Sequence, residues 1–182
     1  MPLAEHVGPW RGVAYRHVPA DSPFDVLDFR FAGRDPANRW NAGEPTLYLA
    51  SDPETAMVEL ARHFRLERTP GLAAQTAARR MYRLEVVLDA VLDLTAPAAW
   101  RALALSNAPY CFLDKAVARA TAGYARAALA VQAIRVPSMG FLDQSDHWCL
   151  VVFLERVSSD PRGWIGDVRP EAEFRVELVD GT

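Results

Sequence analysis

The segment TLYLASDPETAMVEL, residues 46–60, constrains the fold most, because a buried strand passes almost directly into a helix. Its first five residues, TLYLA, form the short apolar run that is typical of a strand covered on both faces. Ser51 or Asp52 can cap the helix that follows, and Pro53 suits its first turn. We expect this helix to run to about Arg65. A strand and a helix joined so closely must pack in one compact unit.

The remaining pattern mixes strands and helices without regular alternation, and it contains neither a repeat nor a low-complexity linker. Strands are predicted at 12–18, 81–94 (one long bent strand or a pair), 133–136, 148–154 and 174–179, and helices at 72–80, 95–105 and 113–131, the last interrupted near Gly123. A long irregular loop with one helical turn is predicted at 19–41. The fold class is therefore expected to be α+β, one domain over 1–182 with a mixed β-sheet core and surrounding helices.

Charge and composition exclude several functions. The 182 residues are 51% hydrophobic and 24% charged, with a formal net charge of -3. An acidic chain is poorly suited to neutralising phosphates along a nucleic acid, so no direct nucleic-acid binding is expected. No stretch of 18 apolar residues and no signal peptide is recognised, so we expect a cytoplasmic protein without a membrane span.

Metal and disulfide chemistry is not indicated either. The four histidines (His6, His17, His63, His147) have no ligand spacing, so no metal site is predicted. Cys111 and Cys149 are far apart in sequence, which favours buried reduced thiols over a disulfide framework.

Individual polar residues in the opening region each have a simple structural interpretation. Glu59 falls beside the apolar face of its helix, where it could be solvated and paired with Arg62 or His63. Tyr48 could be a core aromatic whose hydroxyl finds a partner. Arg39 with Trp40 could stack on the surface, and Ser138 after Pro137 could be an ordinary turn residue. No single residue establishes a function.

Taken in order, however, these residues resemble the RES domain family. The series is Arg39-Trp40-Asn41, Tyr48 in TLYLA, Glu59 in ETAMVEL, and Val136-Pro137-Ser138 ahead of a core strand. The resemblance spans about 15–154, and it includes Tyr15-Arg16 near the start and the run VLDLT. Two departures stand out. Ala37-Asn38 replace the family's two glycines, the nearest glycine being Gly33, which leaves Arg34 as an alternative to Arg39. Asp146-His147 stand where the family has an asparagine.

The resemblance implies an ADP-ribosyltransferase-like fold and NAD as the substrate, with no cofactor or metal. Its implied catalytic residues are Glu59, Arg39, Tyr48 and Ser138, and its implied NAD-binding residues are Arg16, Arg39, Tyr48 and Ser138. A guanidinium can bind a pyrophosphate through two hydrogen bonds, and Tyr48 can stack on nicotinamide. A carboxylate can stabilise positive charge at the anomeric carbon.

The resemblance also implies a biological role. Members of this family are toxins of toxin-antitoxin pairs that cleave the bond between nicotinamide and ribose, by hydrolysis or phosphorolysis. Two alternatives remain open, a protein ADP-ribosyltransferase and an inactive binding module. The implied partner is an antitoxin with an Xre-type helix-turn-helix domain, and homodimers occur in the family.

Overall fold

The computed structural model describes residues 3–66 and 78–175 of the chain. Within them six strands and three α-helices follow each other in a mixed order. The strands are β1 (Val7–Pro19), β2 (Thr46–Ala50), β3 (Arg79–Asp93), β4 (Ala133–Pro137), β5 (Trp148–Phe153) and β6 (Ile165–Phe174). The helices are α1 (Pro53–Leu66), α2 (Pro97–Ala102) and α3 (Lys115–Ala128), with short 3-10 turns at Leu3–His6, Tyr110–Leu113, Leu154–Arg156 and Pro161–Gly163. The α+β prediction is confirmed.

The six strands form one mixed sheet in the order β1-β2-β5-β4-β3-β6, and β1 also pairs with β3. This extra pairing closes five of the strands into a ring. The joints of the ring differ greatly in extent, since β2 and β5 share five residue pairs whereas a single pair, Tyr15 with Ala50, joins β1 to β2. Only β3 with β4 is parallel. The sheet therefore has one narrow seam, between β1 and β2.

The sequence pattern accounts for the long strand β3. Val86 and Leu88 are buried while the residues between and beside them are exposed, which is the alternation of a strand with one covered face. The segment is one strand of 15 residues rather than a pair, and its pairing with β6 contains two register shifts. Because β3 pairs with β1 along nearly its whole length, it fixes the orientation of every residue on β1.

Two large apolar clusters form the core. One includes Phe112, Ala118, Ala122 and Ile134, and it joins α3 to the sheet. The helix α3 contributes small buried side chains, those of Ala118, Ala122 and Ala125, to this cluster. Gly123 lies within α3 without interrupting it, so the predicted break was wrong.

Several predicted boundaries are corrected. Residue Asp52, rather than Ser51, caps α1, since its Oδ1 accepts from the Thr55 amide at 2.8 Å. Helix α2 ends at Ala102, and residues 24–29 form turns without a helix. The helix predicted at 72–80 lies mostly outside the described residues, and its last two positions belong to β3 instead.

The last strand, β6, runs from Ile165 to Phe174 and so begins earlier than the strand predicted at 174–179. The predicted positions from 176 onward lie outside the described residues. In the part of the chain that is described, we find no helix with the length and apolar character needed to cross a membrane.

Candidate active site

A cleft of about 410 Å³ opens at the seam between β1 and β2. Residues of α1, the loop before β2, the first residue of β3 and the end of β4 complete its walls. Among the predicted site residues, Arg16, Arg39, Tyr48 and Glu59 line this cleft, although 43 positions separate the first from the last. Ser138 is fully buried and reaches the cleft through its contact with Glu59. The fold thus brings all five predicted residues together.

Glu59 is held by the segment that follows β4. Its Oε1 accepts from the Ser138 hydroxyl at 2.5 Å and from the Gly140 amide at 3.0 Å. The interpretation of Glu59 as a solvated residue paired with its own helix is therefore wrong. His63, a predicted partner, instead lies 3.4 Å from Asp35. A charge-assisted pair of donors fixes the carboxylate in one orientation on the cleft wall.

Gly140 permits this contact because of its missing side chain. A Cβ at this position would lie 2.3 Å from Cγ1 of Val58, on the helix turn that carries Glu59. Real Cβ atoms do not approach so closely, so only glycine lets the backbone amide reach the carboxylate without displacing α1. The two residues flanking Ser138, Pro137 and Met139, line the cleft themselves.

A second set of contacts ties the same segment to the start of α1. The Ser138 amide donates to the backbone carbonyl of His147 at 3.0 Å. The Nδ1 atom of His147 lies 2.6 Å from the Thr55 hydroxyl and 3.2 Å from Asp52 Oδ2, and its ring stacks on Phe141 at 4.1 Å. His147, which stands where the family has asparagine, thus connects the helix cap to the Ser138 segment.

Tyr48 uses its hydroxyl to anchor the loop that precedes β2. The hydroxyl donates to Oδ1 of Asn41 at 2.7 Å and accepts from the Trp40 amide at 3.1 Å. Asn41 in turn donates to the backbone carbonyls of Gly33 and Glu44. Trp40 is buried against Phe112, so the surface stack suggested for it is wrong.

Arg39, rather than Arg34, lies on the cleft. Its Nη1 donates to the backbone carbonyls of Phe112 at 2.9 Å and Leu113 at 2.8 Å, which link the loop to the 3-10 turn before α3. Arg34 is exposed and its guanidinium lies over the ring of Phe31 at 5.3 Å. Gly33 stands at φ +80°, and a Cβ there would lie 2.5 Å from the Thr46 amide nitrogen, so the loop turns sharply at this glycine.

Arg16 approaches the cleft from β1. It donates through Nη1 to the carbonyl of Val26, and its guanidinium lies 4.8 Å from the ring centroid of Phe29. Burial lowers the pKa of Arg16 to about 10, with Asp28 opposing the shift and Arg79 adding to it. The group remains a cation at neutral pH.

His17 and Arg79 also line the cleft, and neither was predicted from the sequence as a site residue. Nδ1 of His17 accepts from Nε of Arg79 at 3.2 Å and from its Nη2 at 3.1 Å. Burial, together with Arg79 and Arg16, lowers the pKa of His17 to about 3, so the imidazole is neutral. The alternation of β1 places Tyr15 and His17 on one side, which was a usable signal. Arg79 was missed because the alanine-rich residues before it predicted a helix.

The cleft is cationic although the whole chain is acidic. Among the described residues, four arginines (Arg16, Arg39, Arg62, Arg79) and two carboxylates (Asp35, Glu59) line it. A concave site with this excess of guanidinium groups favours an anionic ligand. The described residues contain no group of His, Cys, Asp and Glu that could hold a metal ion. Cys111 and Cys149 are free thiols, and burial raises the pKa of Cys149 well above its ordinary value.

Comparison with known proteins now identifies the family. A sequence profile of the RES domain matches residues 9–172. The chain belongs to the RES domain family. Its relatives include the NAD(+) phosphorylase MbcT of Mycobacterium tuberculosis and of Mycobacterium bovis, each 33% identical over 133 residues, which are 72% of this chain and 69% of the relative.

A solved structure extends the comparison to the fold. The crystal structure of the M. tuberculosis MbcT-MbcA toxin-antitoxin complex contains a chain that superposes with a TM-score of 0.64 at 26% sequence identity. The match covers 96% of this chain and 91% of the other. The chain, with its closed ring of strands, is therefore similar in fold to a chain of this toxin-antitoxin complex.

Proposed function

We propose that this RES domain protein is an NAD-consuming toxin that cleaves the bond between nicotinamide and ribose, with phosphate as the acceptor. The observation that carries the proposal is the Glu59 carboxylate, fixed at 2.5 Å from the Ser138 hydroxyl on the wall of a cationic cleft. The 33% identity to NAD(+) phosphorylase MbcT supports phosphate over water as the acceptor.

The geometry suits this reaction. As the C–N bond breaks, nicotinamide leaves as a neutral base and positive charge develops at the anomeric carbon, where Glu59 stabilises it electrostatically. A phosphate oxygen then forms the new bond to the same carbon, which yields ADP-ribose phosphorylated at its anomeric position. Ser138 holds the carboxylate in place, and we propose that Tyr48, Arg39 and Arg16 contact NAD from the opposite side of the cleft. No cofactor enters this scheme.

The biological setting is part of the proposal. The chain resembles a toxin that was crystallised in complex with its antitoxin. We propose that an antitoxin with an Xre-type helix-turn-helix domain neutralises this protein in the cytoplasm. We also propose that residues 1–182 form one domain. A homodimer is a further possibility, which sedimentation of the purified chain tests.

The direct test is to incubate the purified protein with NAD, with and without inorganic phosphate, and to separate the products. We expect nicotinamide release that depends on phosphate and a phosphorylated ADP-ribose product. Free ADP-ribose as the product would indicate hydrolysis, and label found only on an added protein would indicate ADP-ribosyl transfer. Absence of nicotinamide release with phosphate, without phosphate and with an added acceptor protein would reject the enzyme and favour a binding module.

Growth of cells that express the chain tests the toxin role. We expect expression to arrest growth and Glu59→Gln to relieve the arrest. Glu54→Gln is the matched control, because Glu54 lies on the same helix but is exposed and away from the cleft. Equal toxicity of the wild type and Glu59→Gln would contradict the proposed role of the carboxylate.

A further inference from the structure

Phe31 is the most exposed large hydrophobic residue in the described part of the chain, and it lies on the cleft. It is 59% exposed, whereas the other exposed large hydrophobic residues described range from 38% to 49%. Phe31 lines the cleft together with its neighbours Ala32 and Gly33, and the proposed reaction gives it no role. An aromatic ring that meets water on the wall of a binding cleft gains free energy when a planar ligand covers it.

The backbone next to Phe31 is held in place. The Ala32 carbonyl accepts from the Thr46 amide, at the start of β2, at 3.4 Å. The Gly33 carbonyl accepts from the Asn41 side chain at 2.5 Å. The Phe31 ring is therefore displayed from a backbone that is anchored to β2 and to the loop before it. A ring presented in this way loses little conformational freedom when a ligand binds.

Two side chains contact the Phe31 ring and leave most of it open. The Phe24 ring lies 6.0 Å away, between centroids, at an interplanar angle of 54°. The Arg34 guanidinium lies 5.3 Å from the Phe31 centroid. Neither Phe24 nor Arg34 lines the cleft. They therefore support the ring from outside and do not take up the surface that Phe31 contributes to the cleft.

NAD contains two planar groups, nicotinamide and adenine, and the exposure of the cleft walls distinguishes between them. Transfer of ADP-ribose to phosphate requires water to be kept away from the anomeric carbon that carries nicotinamide. Glu59, which stabilises this carbon in the proposed reaction, is half-buried and bonded to the fully buried Ser138. The reacting end of NAD therefore belongs at the enclosed end of the cleft. The adenine is left for the exposed end, where Phe31 lies.

We propose that the Phe31 ring stacks on the adenine of NAD at the exposed end of the cleft. The inference rests on the proposed function and deepens it, because it assigns a residue to the half of NAD that takes no part in bond cleavage. A stacked base contributes to the affinity for substrate and transition state equally. Phe31 is thus expected to set the affinity for the dinucleotide and not the rate of the chemical step.

The test uses the full-length purified protein and two variants of this residue. Phe31→Ala removes the ring, and Phe31→Trp replaces it with a larger one. Tyr124→Ala is the matched control, because Tyr124 is also an exposed aromatic residue, at 49%, but lies on α3 outside the cleft. Thermal melts establish that each variant is folded.

The first measurement is the Kd for ADP-ribose by calorimetry, since this ligand carries the adenine but no nicotinamide. Loss of base stacking on an aromatic side chain weakens binding by about 5- to 150-fold, and we expect the Kd of Phe31→Ala to rise by such a factor. Phe31→Trp should bind at least as tightly as the wild type, and Tyr124→Ala should have the wild-type Kd. An unchanged Kd in folded Phe31→Ala would overturn the inference.

The second measurement is the kinetics of nicotinamide release from NAD. We expect Phe31→Ala to raise the KM for NAD and to leave kcat at saturation close to that of the wild type, which is the pattern for loss of uniform binding. A raised KM for NAD together with an unchanged Kd for ADP-ribose would place the ring against nicotinamide and reject the adenine contact.

The outcome is separable from that of the proposed function. If the wild type releases no nicotinamide but Phe31→Ala weakens ADP-ribose binding, the reaction is rejected and the adenine contact stands. If nicotinamide is released and the Kd for ADP-ribose does not depend on Phe31, the reaction stands and the adenine contact is rejected. If the wild type does not bind ADP-ribose, the adenine contact is rejected as well.

Discussion

The two walls of the cleft are built by different means. The carboxylate wall (Glu59, Ser138, Gly140) fixes its functional group with hydrogen-bond donors at 2.5 and 3.0 Å. The arginine wall (Arg16, Arg39, His17, Arg79) includes contacts from guanidinium groups to backbone carbonyls and to an imidazole. The carboxylate is thus held by donors that come from one segment, whereas the guanidinium groups come from β1, β3 and the loop before β2.

Several arginines away from the cleft form ion pairs. Arg80, Arg126 and Arg135 each contact a carboxylate, belonging to Glu173, Glu155 and Asp93 respectively. These pairs connect parts of the scaffold that are distant in sequence, and exposed pairs of this kind contribute little to stability.

The largest effect is expected from breaking the carboxylate wall with Glu59→Gln. The amide removes the charge that stabilises the anomeric carbon, and we expect kcat to fall by about 100- to 1000-fold. The melting temperature should stay close to that of the wild type, since the amide oxygen still accepts from Ser138 and Gly140. Nicotinamide release at saturating NAD measures the effect, with Glu54→Gln as the control. A loss of less than tenfold, on the order of one hydrogen bond, would show that the charge is not required.

The next effect concerns the close approach of Gly140 to α1. Gly140→Ala should reduce the free energy of unfolding by about 1–3 kcal/mol, because the new methyl overlaps the stiff Val58 side chain. Urea denaturation measures this loss. Val58→Ala in the same chain should recover much of it, so additive losses in the double variant would contradict the proposed overlap.

A smaller effect depends on pH and involves the arginine wall. The pKa of His17 falls from 6.5 in the unfolded chain to about 3 in the fold. Between these values the unfolded state binds a proton that the folded state excludes, so stability is lost as the pH falls from 6.5. The slope from this residue is at most about 1.4 kcal/mol per pH unit.

Comparison of the wild type with His17→Asn isolates that slope from the other titrating groups, since both chains share them. Urea denaturation above pH 6.5 and again near pH 5 should show a smaller loss for His17→Asn. Parallel losses in the two proteins would indicate that burial, together with Arg79 and Arg16, does not keep His17 neutral.

The smallest effect is expected outside the cleft. Arg80→Ala removes an exposed ion pair with Glu173, so the free energy of unfolding should change little, because solvent screens such a pair. The kinetic constants for NAD and phosphate should be those of the wild type. A kinetic defect in Arg80→Ala as large as that of Glu59→Gln would show that an arginine outside the cleft also acts in the reaction.

The sequence predicted those parts of the molecule that depend on local pattern. TLYLA and WCLVVF are strands because continuous apolar runs favour them, and α1 begins where a cap and Pro53 stand together. The hydrogen bond between Glu59 and Ser138 joins residues 79 positions apart. A helical wheel compares only residues within α1, so it could not predict this bond. The family resemblance predicted that both residues belong to one site, but not the hydrogen bond between them.

The arginine wall was less accessible to sequence reasoning. Arg79 follows an alanine-rich stretch whose helical propensity is high, and its pairing with β1 and β6 makes it a strand residue. His17 was visible on β1, but its charge state depends on burial and on two arginines that the fold brings near it. Register and desolvation are tertiary effects, and no local pattern records them.

The single residue pair at the seam has a mechanical consequence. Five residue pairs join β2 to β5 and five join β4 to β5, whereas Tyr15 and Ala50 alone join β1 to β2 and both line the cleft. Widening the ring at this joint therefore sacrifices fewer backbone hydrogen bonds than at the joint of β3 with β4, which share three residue pairs, or at the longer joints. The sheet can thus admit ligands of different bulk at one place and keep its core strands unchanged.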